Sequence, residues 1–151
     1  MKIISLNKKH FKDFLNLRIS LFKELKEINS KEDIEELILS TKKYFFDNIE
    51  KNLLCWAIEV DDEIVSIASL NIFYRIPYAE NLLGKEGYIL NVYTLPSYRK
   101  KNMADTLIKV IIDYAKHNSI KKLWLNSSDE GKRIYLKNNF KEIENIMELY
   151  L

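Results

Sequence analysis

Phe11, Phe14, Leu15, Phe22 and Leu25 recur at helical spacing with Arg18 on the same stripe, which predicts a helix from an Asn7 cap to about Ile28. Ser30 with Asp33 resembles a capping box and opens a second predicted helix to about Glu50, with Ile34, Leu37, Ile38 and Phe45 on its apolar face. Met103, Leu107, Val110, Ile111 and Tyr114 mark the clearest amphipathic helix, with Lys116 and His117 at the end where cations complement the dipole. Strand patterns lie between these segments. Ile3 to Leu6 is a short one; Leu53 to Val60 and Glu63 to Arg75 flank the turn Asp61, Asp62 as an antiparallel hairpin. Pro77 to Gly87 reads as a loop, Tyr88 to Leu95 as the next strand and Lys122 to Asn126 as a short one. Ser128 is placed to cap a helix from Asp129 to Asn138, and Phe140 to Leu151 is expected to close the chain with one or two strands. A meander followed by a strand, helix, strand unit predicts an α/β (α+β) domain, a mixed sheet with helices on both faces.

A chain of 151 residues without repeat, low-complexity segment or linker fits one domain, residues 1–151. Hydrophobic residues at 47%, with two prolines and three glycines, argue against disorder. The 24 Lys and Arg against 22 Asp and Glu give a net charge of +2, so no general field draws the chain to nucleic acid or a membrane, and neither is expected as a partner. Any basic site must be local. One cysteine, Cys55, rules out an intramolecular disulfide, and with His10 and His117 far apart no metal site is expected. No apolar run approaches the roughly 20 residues that span a bilayer, and residues 1–6 lack a signal-peptide pattern, so a cytoplasmic location is the expectation.

The local basic site is Arg99, Lys100, Lys101, Asn102, Met103, Ala104, between a strand that stops at Pro96 and the start of the amphipathic helix. The amides of a helix N-terminus have no intrahelical partner and sit at the positive end of the dipole, so this junction suits a phosphate-bearing ligand. Lys100 and Lys101 would add point charge, and the amides from Lys101 to Ala104 directional bonds.

Arg, two residues, a turn residue, one residue and a small residue resembles the pyrophosphate loop of the GNAT superfamily of N-acetyltransferases, and Val92 to Pro96 is similar to that family's cofactor-facing strand end. Ser128 to Phe140, with its tyrosine and closing aromatic, resembles the family's late helix. Asn102 and Asn139 stand where the family has glycine, and asparagine is the non-glycine residue that best tolerates positive φ. The resemblance implies a central sheet of about six to seven strands with about four helices. It also implies acetyl-CoA as co-substrate, no metal, and a small-molecule or peptide amine as acceptor, attacked in a ternary complex. Val92 and Thr94 would present backbone to the pantetheine arm, as an added strand does. Backbone N–H near Val92 would steady the oxyanion. Tyr135 would protonate the departing thiolate, and Asn126 would bond the cofactor arm or simply end its strand.

Tyr88 stands where some family members carry a catalytic glutamate. Glu86, two residues earlier and on the same predicted face, is therefore the candidate general base. Period-2 alternation puts Tyr88, Leu90, Val92 and Thr94 on one face and Ile89, Asn91 and Tyr93 on the other. Glu24, Glu27, Glu32, Asp33, Glu35 and Glu36 make the first two helices acidic, which suits a cationic amine, with Phe73, Tyr74, Arg75, Tyr78 and Glu80 as a rim. An acyl-CoA-binding regulatory domain without turnover is the alternative function, and a homodimer through exposed C-terminal strand edges is an expectation for assembly.

Overall fold

The computed structural model describes residues 1–151. Five strands form one sheet in sequence order: β1 (Lys2–Ser5), β2 (Leu53–Val60), β3 (Glu63–Tyr74), β4 (Lys85–Thr94) and β5 (Lys122–Trp124). The first four pair antiparallel and β5 joins β4 in parallel. The β2–β3 turn uses Asp61 and Asp62 at φ 51° and 62°, the twist that suits a two-residue hairpin.

Helices cover both faces. On one lie α1 (Phe11–Glu24) and α2 (Lys31–Asn48), joined to the sheet by a cluster in which Phe45 is fully buried, with ring centroids 4.7 Å from Phe14 and 5.2 Å from Phe11. On the other, α3 (Met103–His117) buries Met103, Leu107, Ile108, Ile111 and Ala115 against Val65, Ala68, Leu70 and Ile89. A short α4 (Lys132–Lys137) adds Ile134 and Tyr135 to that cluster. No helix is long and apolar enough to cross a membrane.

Several boundaries differ from the sequence reading for local reasons. Asn7 caps a single 3₁₀ turn, Lys8–His10, which runs straight into α1. That helix stops at Glu24 because Lys26 turns left-handed (φ 57°), and the Lys26 and Glu27 amides donate back to the Lys23 and Phe22 carbonyls. The same stop closes α4, with Asn139 at φ 67° and the Phe140 amide donating to the Tyr135 carbonyl. Asparagine there does the work of glycine. Ser128 accepts from the Gly131 amide at 3.2 Å, but regular helix begins only at Lys132.

The sheet has five strands, fewer than the six to seven expected, because residues 140–151 pair with nothing. The neighbouring edge, β5, is only three residues long. Ile143, Met147, Leu149 and Tyr150 are left exposed.

Residues 75–84 are shaped by Gly84, which sits at φ +65° with its carbonyl accepting from the Arg75 amide at 2.8 Å. A Cβ at this position would meet the Arg75 carbonyl oxygen at 2.0 Å. Both constraints admit only glycine. Gly84→Ala is expected to cost about 3 kcal/mol in urea unfolding; a change below about 0.5 kcal/mol would contradict this reading of the turn.

Candidate active site

The site is built on a defect in β4. Ile67 pairs with Tyr93 and Ser69 with Leu90, so Ala68 faces two residues, Asn91 and Val92. This is a β-bulge, and Asn91 takes the left-handed conformation (φ 55°) that it requires. The bulge overturns the expected alternation. Leu90 and Asn91 both line the α1–α2 side, whereas Val92 turns to the α3 cluster and Tyr93 back to the α1 side.

A second break lies on the other edge. β5 pairs with β4 only from Glu86 to Tyr88 and ends at Trp124, so Ile89 to Thr94 have β3 on one side and no strand on the other. The sheet therefore opens along the bulged half of β4. The turn that follows leads to the N-terminus of α3 at the end of this opening.

At that turn Lys100 (φ 62°) and Asn102 (φ 58°) are both left-handed. Asn102 is the N-cap residue, yet its side chain makes no capping bond, so the first amides of α3 keep their donors free of a side-chain cap. Asp105, the acid in the first turn, is turned away from them. Its carboxylate accepts from Asn138 at 2.7 Å, Lys109 at 2.9 Å and Lys137 at 3.0 Å. Lys100 and Lys101 form no ion pair, and Lys101 Nζ lies 5.0 Å from the Tyr98 ring centre. Unpaired donors, two exposed ammonium groups and an open strand edge fit a pyrophosphate with an extended amide-bearing arm.

Arg99 departs from expectation. Its guanidinium donates to Glu24 at 2.6 Å and to the Thr94 carbonyl at 3.0 Å, which ties the turn to α1 and directs the side chain away from the α3 amides. Arg99 holds Glu24 below its ordinary pKa, chiefly through that hydrogen bond. The Thr94 hydroxyl is likewise engaged, 2.8 Å from the Ser66 hydroxyl.

Glu86 is fully buried. It accepts from Tyr78 Oη at 2.6 Å and from Arg75 Nη1 at 3.3 Å, which fastens the 75–84 loop to β4. A carboxylate so enclosed presents no surface to solvent, and the base role expected of it is not carried forward. Of the expected rim, Arg75, although exposed, and Tyr78 both bond Glu86, while Phe73 lies edge-on to Trp124 at 6.1 Å; Tyr88 of β4 does the same at 4.7 Å.

Tyr135 lies on α4, 5.8 Å from Phe140 between ring centres. Burial, reinforced by Tyr88, pushes its phenol up to about 12. It borders a cleft of about 650 Å³ that also receives Asn126, Trp124 and Phe140 but no residue of β4 or of the basic turn. Asn126 is exposed just beyond the end of β5. Trp124 Nε1 is buried without an acceptor. The basic turn and Tyr135 lie on different elements, with Asp105 bridging α3 to the end of α4.

Three features escaped the sequence reading. Asp105 looks like an ordinary first-turn acid, and only the fold brings Lys137 and Asn138 to it. Asn91 reads as one polar residue in a strand. Arg18 reads as part of the α1 stripe, but it lines a second cavity, of about 330 Å³, between α1, α2 and the sheet. No three His, Cys, Asp or Glu side chains converge as a metal site.

Residues 18–140 match the model of the acetyltransferase (GNAT) family, and the chain belongs to that family. Among solved structures, a predicted acetyltransferase with acetyl-CoA from Clostridium acetobutylicum superposes with TM-score 0.85 at 23% identity, over 99% of this chain and 95% of that one. A GCN5-related N-acetyltransferase from Ralstonia eutropha gives 0.82 at 16% identity over 99% and 97%. Glucosamine-6-phosphate N-acetyltransferase from Arabidopsis thaliana gives 0.70 at 20% identity over 99% and 97%. No curated protein matches the sequence.

The Asp105 cluster should be measurable. Its hydrogen bonds, first that from Asn138 and then those from the two lysines, hold the carboxyl far below the ordinary range. A depressed folded-state pKa stabilises the protein above the unfolded value near 3.9, and this contribution is lost as pH falls from there. Asp105→Asn is expected to lower stability by about 2 kcal/mol at pH 7 in urea unfolding, and by less at pH 3. A pH-independent difference would contradict the assignment.

Proposed function

We propose that this GNAT acetyltransferase moves the acetyl group of acetyl-CoA to a primary amine, by direct attack within a ternary complex. The observation that carries the reading is the uncapped N-terminus of α3, placed after two left-handed residues at the end of the open edge of β4. Acetyl-CoA would supply an activated thioester carbonyl. The amides from Lys101 to Ala104, with the ammonium groups of Lys100 and Lys101, would hold its pyrophosphate. The backbone of β4 around Val92 and Thr94 would bond the pantetheine amides in the manner of an added strand, with Asn126 at the far side of the opening. An N–H at the bulge would steady the oxyanion, because a bulge leaves backbone groups outside the strand ladder.

Tyr135 would stand at the leaving sulfur. With its pKa near 12 the phenol keeps its proton throughout the working range, and it exceeds a thiol's reference value by roughly 3 to 4 units. Full proton transfer to a thiolate is therefore uphill. Tyr135 acts instead by donating a hydrogen bond to the sulfur as charge builds there, and the proton that the amine loses balances the one the thiolate finally takes up. The family match supports acetyl transfer in general; the amine acceptor and these residue roles are the proposal's own.

Tyr135→Phe is expected to lower kcat about 100-fold, with coenzyme A affinity unchanged in calorimetry. Equal turnover in the variant would remove Tyr135 from the mechanism. The sign of the pKa shift adds a second expectation: ionisation would remove the donor, and a raised pKa postpones that loss. Turnover by the wild type should show no alkaline fall from this group between pH 7 and about pH 10, whereas a fall centred below about pH 9 that vanishes in Tyr135→Phe would contradict it.

A further inference from the structure

The cavity of about 330 Å³ between α1, α2 and the sheet has one ionised group among its lining residues, Arg18. Its guanidinium forms no salt bridge, and its Nε is buried without a hydrogen-bond partner. The Phe22 ring lies 4.6 Å from its Cζ, and Glu27 attracts it through space without forming an ion pair. Cys55, which lies close by, offers no counter-charge, since burial pushes its thiol up to about 12 and keeps it neutral. A guanidinium partly removed from water with no anion bonded to it is costly unless a ligand completes it.

A second, independent observation points to the same ligand. Asn91, the bulge residue, is 5% exposed, and neither its Nδ2 nor its Oδ1 has a partner. It lines this cavity beside Arg18, with Ser40, Thr41, Tyr44, Ser69 and Asn71 as the other polar residues of the wall. The Tyr44 hydroxyl is already committed to Asn71, at 2.6 Å, and Ser69 to Cys55, at 3.2 Å. Arg18 Nε and both polar atoms of the Asn91 side chain are the ones buried without a partner. Asn91 immediately precedes Val92, so the cavity reaches β4 at the bulge.

Resting on the reading that this opening carries the acetyl donor, we propose that the acceptor is a small amine bearing a carboxylate, of the amino-acid type. Its carboxylate is held by Arg18 and the Asn91 amide, and its amine is directed to the β4 bulge. A planar fork of N–H donors matches a carboxylate, and Asn91 Oδ1 supplies an acceptor for the amine. The volume sits at the small end of ligand pockets and suits such a compound rather than an extended chain. The acidic residues that favoured a purely cationic acceptor do not reach the cavity. Glu32, Asp33, Glu35 and Glu36 lie on exposed positions of α2, Glu24 is paired with Arg99, and Glu27, exposed beyond the end of α1, acts on Arg18 only through space.

The test titrates the twenty protein amino acids, one by one, against their carboxamides by calorimetry in the presence of coenzyme A, with wild type, Arg18→Met and Asn91→Asp. Asn91→Asp keeps the left-handed position, which aspartate tolerates, and places an internal anion in the cavity, so it reports even if Arg18→Met fails to fold. At least one acid is expected to bind about tenfold or more tightly than its amide. That preference should fall below about twofold in both variants while coenzyme A affinity holds. Equal binding of acid and amide, retention of the preference in the variants, or no binding of any acid would overturn the proposal. Failure of coenzyme A to bind the wild type is read separately and counts against the transferase reading, while the acid and amide titration, repeated without it, still decides the role of Arg18.

Discussion

The bulge at Asn91 is the constraint from which the rest of the site follows. One extra residue in β4 reverses which side chains face which helices, so that Asn91 looks toward α1 and α2 while Val92 joins the α3 core. With β5 only three residues long, the same half of β4 has an unpaired edge. A regular sheet would have spent those backbone groups on a neighbouring strand. Here they border an opening that ends at the uncapped start of α3.

Two charged links hold the opening in shape. Arg99 joins the turn before α3 to Glu24 on α1, and Asp105 joins the first turn of α3 to Lys137 and Asn138 at the end of α4. The second link matters more for chemistry, because Tyr135 sits on that short helix. A six-residue helix that packs only through the partly buried Ile134 and Tyr135 has few contacts of its own, so its position also depends on such ties and on the Tyr135 to Phe140 contact. Arg99 and Glu86, both expected to meet ligands, each tie two parts of the fold together.

Much of the fold was legible because local rules and tertiary context agreed. The hairpin at Asp61 and Asp62, the Ser30 cap and the apolar face of α3 each carry a local signal that the tertiary fold does not override. Asn102 and Asn139 take the left-handed conformation inferred from their place in the family pattern. What escaped was either non-local or conformational. No pattern in the sequence says that Lys26 will turn left-handed, that Asp105 will meet residues 32 and 33 positions away, or that Asn91 will bulge. Residues 140–151 carry an alternating pattern, with Ile143, Met147, Leu149 and Leu151 on one face, yet the edge beside them, β5, is three residues long and they join no strand.

The account's central claim is that the start of α3 and the open edge of β4 together form the acyl-CoA site. Backbone amide NMR on a titration with coenzyme A tests it most directly. The largest shift changes should fall on residues 89–94 and 101–105, saturating together. Changes concentrated instead in the cleft under residues 140–151, or none at millimolar coenzyme A, would contradict it.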